Sequence, residues 1–490
     1  MKTYQMYIDG KWCDSASGQT YDAINPALGE LFGAVAKGTR ADAQRAVAAA
    51  NEALKTWRQV PLWERSAMCV KIADIIDRRK DELADILCTE LGKPRHGEAA
   101  DEAGETATPW RVAAEQAKYF EGHTKPCADP RKRVLTFWRP RGVVTALTPW
   151  NFPAAIPGEY LPFAIVMGNT VCWSPAPTAA ATAVTLTECI HEAGLPPGVI
   201  NLVTGPGADV GDELVVSPGT HAVGMTGSPQ TAKIISQRAG LKPRVFELGG
   251  NGPVVVLPDA DPKQIATCIG FACFYAAGQV CSCAERIFVA DSLKDDLVDA
   301  MVAEAKHWVY GDPWDAKVNM GPQNNMGVVE KMTRHLQDAT SKGARIVAGG
   351  KRPDRPGFFY EPTVLVDFPV DSLVNTEETF GPIAPIASFK TDQQAWEYIN
   401  ACDLGLVSSV FTKDVDRAWQ WAEQLNTGIT VVNDWPHFWE HHLPFGGMAS
   451  NESGLGRIGG RHMLEFMSDL KTIAFNIGPP SADASAWGDQ

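Results

Sequence analysis

Apolar residues recur at helical spacing along the first hundred residues. One stripe predicts a helix that ends at about Trp57, and a second predicts a single helix that runs from about Pro61 to Gly92. Ahead of both, residues 7–12 contain Asp9-Gly10, a pair typical of a tight hairpin turn. Such stripes are core faces, so we expect this region to be scaffold.

Between residues 143 and 257 the pattern changes to short β-branched runs that alternate with helical stretches. The predicted strands are residues 143–147, 170–173, 199–203, 221–225 and 254–257. The predicted helices between them are residues 178–193, 209–216 and 228–239. This alternation predicts an α/β fold with parallel strands, helices on both faces, and a ligand crevice at the carboxyl ends of the strands.

The rest of the chain predicts two further units. A second α/β stretch begins near Asn251 and continues to about Phe445. The β-rich segments 131–139 and 470–477 are expected to form an arm whose exposed edge pairs with another subunit. The last dozen residues, rich in Pro, Ser and Ala, are predicted to be disordered.

Composition excludes several classes of function. The net charge is −14, and no basic block is long enough to follow a phosphate backbone, so nucleic acid is not an expected partner. No apolar run reaches the ~18 residues of a membrane span, and the first residues lack the apolar core of a secretory signal, so we expect a cytoplasmic protein. Eleven scattered cysteines favour reduced thiols over a disulfide framework.

Three short segments carry candidate chemistry. Cys281 follows Gly278-Gln279-Val280, Glu247 precedes two glycines, and Asn151 lies between Trp150 and Phe152. A thiolate can add to a carbonyl carbon, an amide N–H can hold the oxyanion, and a carboxylate can activate water against the resulting thioester. Taken singly, each residue has a plain alternative: a core cysteine, a surface carboxylate or a turn asparagine. A metal pair of Cys281 with Cys283 is disfavoured, because no His or Cys cluster lies nearby.

At these segments the chain resembles the aldehyde dehydrogenase superfamily, and the likeness extends from Ile24 to Thr472. The resemblance implies Cys281 as nucleophile, Glu247 as general base, and Asn151 with the Cys281 backbone N–H as oxyanion hole. It implies a Rossmann-like cofactor domain (residues 1–122 and 143–249), an α/β catalytic domain (250–445) and an oligomerisation arm (123–142 and 446–490) that builds a homodimer or homotetramer.

The resemblance also implies a site for NAD or NADP, and glycines at strand–helix junctions are suited to a pyrophosphate. The residues assigned to it are Thr148, Pro149, Trp150, Ser174, Gly207, Gly211, Thr226, Gly227, Ser228, Leu248, Gly249, Glu378 and Phe380. Ser174 and Pro177 stand where the family usually has a lysine and an acid that hold the adenosine ribose. Because no new basic residue enters this segment, NAD is slightly favoured over NADP.

Other departures concern proton transfer and the substrate mouth. Tyr160 and Ile458 replace a lysine and an acid that relay a proton from the general base in many members, which leads to the hypothesis that Glu247 passes its proton to water, with Tyr160 as a candidate relay. Ala276 replaces a frequent asparagine, and residues 448–453 contain two extra residues.

The residues mapped to the substrate funnel are largely aromatic: Phe152, Glu159, Tyr160, Tyr275, Trp439 and Phe445. Such a funnel predicts oxidation of an aromatic or apolar aldehyde to its acid. Glu159 leaves an amino aldehyde open, whereas the lack of a mapped arginine weakens the case for a carboxylated semialdehyde. Transfer of the acyl group to coenzyme A and a catalytically silent oligomeric binding protein are the remaining alternatives.

Overall fold

The computed structural model describes residues 2–479. Its strands are β1 (Lys2–Tyr4), β2 (Met6–Ile8), β3 (Lys11–Cys13), β4 (Thr20–Asn25), β5 (Glu30–Ala36), β6 (Thr124–Lys125), β7 (Lys132–Pro140), β8 (Val143–Thr148), β9 (Thr170–Pro175), β10 (Ile200–Leu202), β11 (Ala222–Gly227), β12 (Arg244–Leu248), β13 (Pro253–Val256), β14 (Arg286–Ala290), β15 (Arg345–Ala348), β16 (Thr363–Val366), β17 (Ile383–Phe389), β18 (Val407–Phe411), β19 (Ile429–Val432), β20 (Gly454–Leu455) and β21 (Ser468–Asn476). Its helices are α1 (Arg40–Trp57), α2 (Leu62–Arg78), α3 (Lys80–Leu91), α4 (Glu98–Glu105), α5 (Thr108–Ala117), α6 (Leu161–Val166), α7 (Ala180–Glu192), α8 (Asp212–Val216), α9 (Pro229–Arg238), α10 (Pro262–Phe274), α11 (Lys294–Ala305), α12 (Met326–Ser341), α13 (Leu373–Thr376), α14 (Asp392–Ile399), α15 (Val415–Gln424) and α16 (Gly460–Phe466).

The first large sheet has eight strands in the order β20-β12-β11-β8-β9-β10-β2-β3. The five strands from β12 to β10 are parallel, and four of them, β8 to β11, were predicted; the fifth predicted strand, 254–257, is β13 of the second large sheet, and β12 takes its place here. The predicted hairpin is confirmed as β2 and β3, and both turn residues have positive φ, 53° at Asp9 and 75° at Gly10. The carboxyl ends of β8, β11 and β12 meet at Thr148, Gly227 and Leu248, where the crevice is expected.

The helices agree with the predicted stripes except in one place. Helix α1 ends at Trp57 as expected, but the single helix predicted from Pro61 to Gly92 is wrong: it is interrupted at Arg79, which has φ −101° and ψ 15°. After the break α3 packs on α4 and α7, while α2 packs on α5, α6 and α7. Arg79 holds this geometry by donating to Glu188 at 3.0 Å. Predicted helix 209–216 is confirmed as a π-helical turn, Gly207–Gly211, that continues into the short α8.

The second large sheet has seven strands in the order β15-β16-β17-β14-β13-β18-β19, all parallel except β15. Residues of β13 alternate between two cores: Val254 and Val256 face one, and Val255 faces the other. A strand buried on both faces accounts for the continuous apolar run in its sequence. It starts five residues after Leu248, so one connection joins the two sheets at the crevice.

The predicted arm segments pair with each other. β21 lies antiparallel to β7 along nine residues, and β6 completes a three-stranded sheet. β20 lies in the range predicted as arm, but it pairs with β12 in the eight-stranded sheet. None of the helices described for residues 2–479 combines the length and hydropathy of a bilayer crossing. The tail predicted to be disordered falls almost wholly outside the described residues.

Candidate active site

Glu247 lies one residue before the end of β12 and points into the crevice. Its neighbours Phe246 and Leu248 face the opposite core, because side chains alternate along a strand. The Glu247 side chain is buried, and its residue on the adjacent parallel strand is Thr226. Burial raises the pKa of the Glu247 carboxyl to about 8; the facing Cys281 and Thr226 side chains lower the pKa, and the charge of Glu378 raises it.

The two glycines that follow β12, Gly249 and Gly250, allow Glu378 and Cys281 to approach the chain closely. A Cβ at Gly249 would lie 2.6 Å from Glu378 Oε1, and a Cβ at Gly250 would overlap the backbone carbonyl of Cys281. The Gly250 N–H donates to Glu378 Oε1 at 3.0 Å. Any larger side chain at these two positions would push Cys281 and Glu378 away from Glu247.

The loop that precedes Cys281 has strained backbone and is held in place by side-chain hydrogen bonds. Ala276, Ala277 and Gly278 all have left-handed backbone, with φ of 52°, 52° and 73°. Left-handed backbone costs about 1–2 kcal/mol at each alanine, so surrounding contacts must hold the loop. Glu98 accepts from the Ala276 N–H at 2.9 Å, and Gln279 Nε2 donates to the Ala276 carbonyl at 3.0 Å.

This loop directs the Cys281 side chain toward Glu247. Cys281 is half-buried, and burial together with the facing charge of Glu247 raises the pKa of its thiol well above the ordinary value. The thiol is therefore protonated at neutral pH, and the Glu247 carboxyl is the titratable group beside it. Thiol and carboxyl form a pair between which a proton can move.

The Asn151 amide is held over the same loop. Asn151 is buried, and its Nδ2 donates one hydrogen to the Gln279 carbonyl oxygen at 3.0 Å. An amide nitrogen carries two hydrogens, so the second remains available to an oxygen beside Cys281.

A cavity of about 190 Å³ opens beside these three groups. Its lining brings together twelve of the predicted residues: Pro149, Trp150, Asn151, Thr226, Gly227, Ser228, Glu247, Leu248, Gly249, Cys281, Glu378 and Phe380. Val328 and Lys331 complete it. Four residues assigned to the cofactor lie outside this lining: Thr148, Ser174, Gly207 and Gly211.

The cavity walls fit a nicotinamide dinucleotide. Trp150 and Phe380 meet edge to face with ring centroids 5.5 Å apart, which gives flat apolar walls beside Cys281. The Glu378 carboxyl, whose pKa burial raises to about 7, is suited to accept hydrogen bonds from ribose hydroxyls. Gly227 and Ser228 precede the N-terminus of α9, and Ser228 Oγ accepts from the Thr231 N–H at 3.3 Å.

The residues predicted for the substrate funnel fall into separate groups. Phe152 packs with Tyr275 beside the Cys281 loop, and Lys93 Nζ lies 3.8 Å from the Phe152 ring centroid. Trp439 contacts Phe445 at a centroid distance of 5.1 Å.

Glu159 and Tyr160 are enclosed rather than exposed to the mouth. Glu159 Oε1 lies 2.5 Å from His441 Nδ1, and its Oε2 is buried with no hydrogen-bond partner among residues 2–479. Tyr160 has no exposed surface. Ile458 is buried and exchanges both backbone hydrogen bonds with Phe445.

Sequence reasoning missed three residues that build the site. Glu98 and Gln279 clamp the Cys281 loop, and Lys331 is the basic residue in the cavity lining, with its Nζ 5.8 Å from the Phe380 ring centroid. Glu98 belongs to a run of acids, and Lys331 lies on an amphipathic helix, so neither differs from a solvated residue by pattern alone. Gln279 was noted in the sequence only as a neighbour of Cys281, with no role assigned to its side chain.

Comparison with known proteins agrees with this geometry. A family model described as the aldehyde dehydrogenase family matches residues 12–473. The chain is 36% identical over 471 residues to glutarate-semialdehyde dehydrogenase of Pseudomonas aeruginosa, covering 96% of this chain and 97% of that protein. It is 34% identical over 475 residues to an NADP-dependent succinate-semialdehyde dehydrogenase of Escherichia coli, covering 96% and 98%. The crystal structure of an NAD-dependent aldehyde dehydrogenase from Sinorhizobium meliloti superposes with a TM-score of 0.94 at 34% identity, covering 98% of this chain and 96% of that one.

A parallel-sheet cofactor fold with a thiol, a carboxyl and an amide around one cavity is the architecture of an oxidoreductase that acts on carbonyl compounds. The chain belongs to the aldehyde dehydrogenase family, and it is an aldehyde dehydrogenase.

Proposed function

We propose that the protein oxidises a semialdehyde to the corresponding carboxylic acid with Cys281 as nucleophile, Glu247 as general base and Asn151 as an oxyanion donor. The juxtaposition of the Cys281 thiol and the Glu247 carboxyl in one cavity carries this proposal. The thiol gives its proton to the carboxylate as sulfur bonds to the carbonyl carbon, and the second Asn151 amide hydrogen holds the developing oxyanion.

A nicotinamide held in the cavity that Trp150 and Phe380 line would supply the hydride acceptor. Glu247 releases that proton to solvent through the cavity and then takes a proton from water as the water oxygen attacks the thioester carbon; the carbon–sulfur bond breaks, and Glu247 returns a proton to the Cys281 sulfur. Because water activation needs a carboxylate, Glu247 favours hydrolysis over acyl transfer to coenzyme A. Replacing Cys281 with Ala should abolish aldehyde oxidation while cofactor binding, measured by fluorescence titration, is retained. Unchanged turnover in this variant would favour a silent binding protein.

The proposed substrate class differs from the aromatic or apolar aldehyde expected from the sequence. Two relatives named above act on glutarate semialdehyde and succinate semialdehyde, which supports the alternative substrate class better than the aromatic one. The amino aldehyde left open by the sequence gains no support, because Glu159 is enclosed and lies outside the lining of the cavity that contains Cys281.

The ratio of kcat/KM values separates these substrates. Succinic and glutaric semialdehydes should exceed both benzaldehyde and 4-aminobutanal by about tenfold or more, the discrimination expected from one well-placed polar contact. A preference for 4-aminobutanal would identify an amino-aldehyde dehydrogenase instead. A preference for benzaldehyde would restore the aromatic prediction.

We further propose NAD as the preferred cofactor and a homodimer or homotetramer built through β7 and β21. Ser174 and Pro177 provide neither a cation for a 2′-phosphate nor an acid against it, so the support for NAD is the absence of a basic residue in that segment. The KM values for NAD and NADP, and the mass in solution by light scattering, test these two statements.

A further inference from the structure

Tyr160 lies directly behind the proposed general base. It follows the turn Ile156–Glu159 and precedes α6, and its ring packs against Gly224 of β11. A Cβ at Gly224 would lie 2.6 Å from Tyr160 Cδ1 and 2.8 Å from Cε1. Glycine at this strand position therefore makes room for the ring, and the phenol is fully buried.

Thr226 neighbours both Tyr160 and Glu247, whose buried Oε1 has no hydrogen-bond partner among residues 2–479. Thr226 is two residues beyond Gly224 on β11, so its side chain lies on the same face of the strand. Its Oγ1 is 2.7 Å from the Tyr160 phenol oxygen, and Thr226 is also the residue paired with Glu247 on β12. The three side chains form a line from the interior of the sheet to the cavity.

The hydrogens along this line have a preferred direction. Among residues 2–479 the Tyr160 hydroxyl has Thr226 as its hydrogen-bond partner and no other. If Thr226 donated to Tyr160, the phenol hydrogen would be buried without an acceptor, which is unfavourable in free energy. Tyr160 therefore donates to Thr226, and the Thr226 hydrogen is free to point at Glu247. Burial raises the pKa of the phenol well above its usual value, so Tyr160 keeps this hydrogen.

We propose that Tyr160 and Thr226 form an oriented chain of two neutral hydroxyls that stabilises the Glu247 carboxylate and holds it ready to activate water. Tyr160 is a positioning residue in this arrangement, and the inference rests on Glu247 being the general base. The phenol leads to no further acceptor within the described residues, so the proton that Glu247 receives leaves through the cavity beside Cys281 and not through Tyr160.

Other charged groups also face Glu247 and must stay constant in any test. They are Cys281, Glu378 and Glu159, of which the thiol favours ionised Glu247 and the two carboxylates oppose it. Replacing Tyr160 with Phe or Thr226 with Val alters none of them. The hydroxyl chain can therefore be varied separately from the charges.

The test is the pH dependence of acyl-enzyme hydrolysis. The full-length enzyme is mixed with NAD and succinic semialdehyde, with glutaric semialdehyde and benzaldehyde in parallel. The burst of NADH measures acyl-enzyme formation, and quenched samples analysed by mass spectrometry measure loss of the acyl group. In Tyr160→Phe the pH midpoint of hydrolysis should rise by about 0.5–1 unit, the effect of one neutral hydrogen bond, and the pH midpoint of the burst should rise with it because Glu247 also takes the thiol proton.

Two variants of Thr226 and one remote control complete the design. Thr226→Val should raise the midpoint at least as far as Tyr160→Phe, and Thr226→Ser, which keeps the hydroxyl, should restore it. The control Tyr360→Phe removes another buried phenol, whose hydroxyl donates to the Gly350 carbonyl, and should leave the midpoint unchanged. If Tyr160→Phe fails to fold, the difference in hydrolysis midpoint between Thr226→Val and Thr226→Ser tests the hydroxyl chain by itself.

The outcomes separate this inference from the proposed function. An unmoved midpoint in both Tyr160→Phe and Thr226→Val, or a rate loss that is equal at every pH, would overturn the hydroxyl chain. Absence of any acyl-enzyme in the unmodified protein with all three aldehydes would instead refute the roles proposed for Cys281 and Glu247.

Discussion

Replacing Glu247 with Gln tests burial and catalysis in one variant. Burial moves the carboxyl pKa from 4.5 to about 8. A folded-state pKa above the unfolded value means that the folded protein retains a proton that the unfolded chain releases. Stability therefore falls as the pH rises from 4.5 to 8, and the full loss is present above pH 8. At about 1.4 kcal/mol per pH unit the loss amounts to roughly 5 kcal/mol.

Glutamine carries no such titration, so Glu247→Gln should become more stable than the natural protein as the pH rises. An unfolding entropy of about 2.1 cal/mol/K per residue gives roughly 1 kcal/mol per degree for a chain of this length. The Tm advantage of the variant should grow from about 1 °C at pH 5.5 to about 5 °C at pH 9, measured by scanning fluorimetry. Turnover should fall by about 10²- to 10⁴-fold, and the NADH burst should slow as well, because Glu247 takes the thiol proton in the proposed first step.

The control is Glu115→Gln, which removes an exposed carboxylate from α5. Its Tm difference from the natural protein should not change with pH. A Glu247→Gln difference that is equally flat would refute the assignment of Glu247 as a buried, proton-retaining carboxyl. Full turnover in Glu247→Gln would refute its role as general base.

Three further substitutions test the loop and the cavity. Gly278→Ala places a Cβ into the Gly381 carbonyl at positive φ, so it should destabilise the protein by roughly 2–5 kcal/mol and reduce kcat; a normal Tm would contradict the close contact. Glu98→Ala frees the Ala276 N–H and should lower kcat by about 10- to 100-fold with cofactor Kd unchanged, whereas Glu98→Gln retains an acceptor and most of the activity. Lys331→Met removes the cation that lowers the pKa of Glu378, so KM for NAD should rise several-fold at neutral pH, and an unchanged KM would exclude this contribution.

The parallel sheet and the three chemical segments were predictable because each is written in local sequence. Short β-branched runs separated by helical stretches define β8 to β11 and β13, and the segments around Cys281, Glu247 and Asn151 are distinctive in themselves. The interruption at Arg79 was not predictable, because the apolar stripe continues across it and the break shows only in how α2 and α3 pack on other helices.

Contacts between residues far apart in the sequence could not be predicted from its pattern either. The proximity of Tyr160 to Glu247 depends on the register that pairs Thr226 with Glu247 and on the space left by Gly224. Neither the strand register nor the space beside Gly224 produces a periodic pattern in the sequence. The chemical type of Tyr160 was noted from the sequence, but its hydrogen-bond partner could come only from the fold.

The glycine pair at 249–250 has a consequence for redesign. Gly249 lies against the Glu378 carboxylate, which is assigned to the ribose, and Gly250 lies against the backbone of Cys281. The cofactor site and the nucleophile therefore meet at the same two residues. Libraries that aim to change cofactor choice by altering residues near Glu378 will therefore also disturb thiol chemistry. Variation is better directed to Ser174 and Pro177, which lie outside the cavity that contains Cys281.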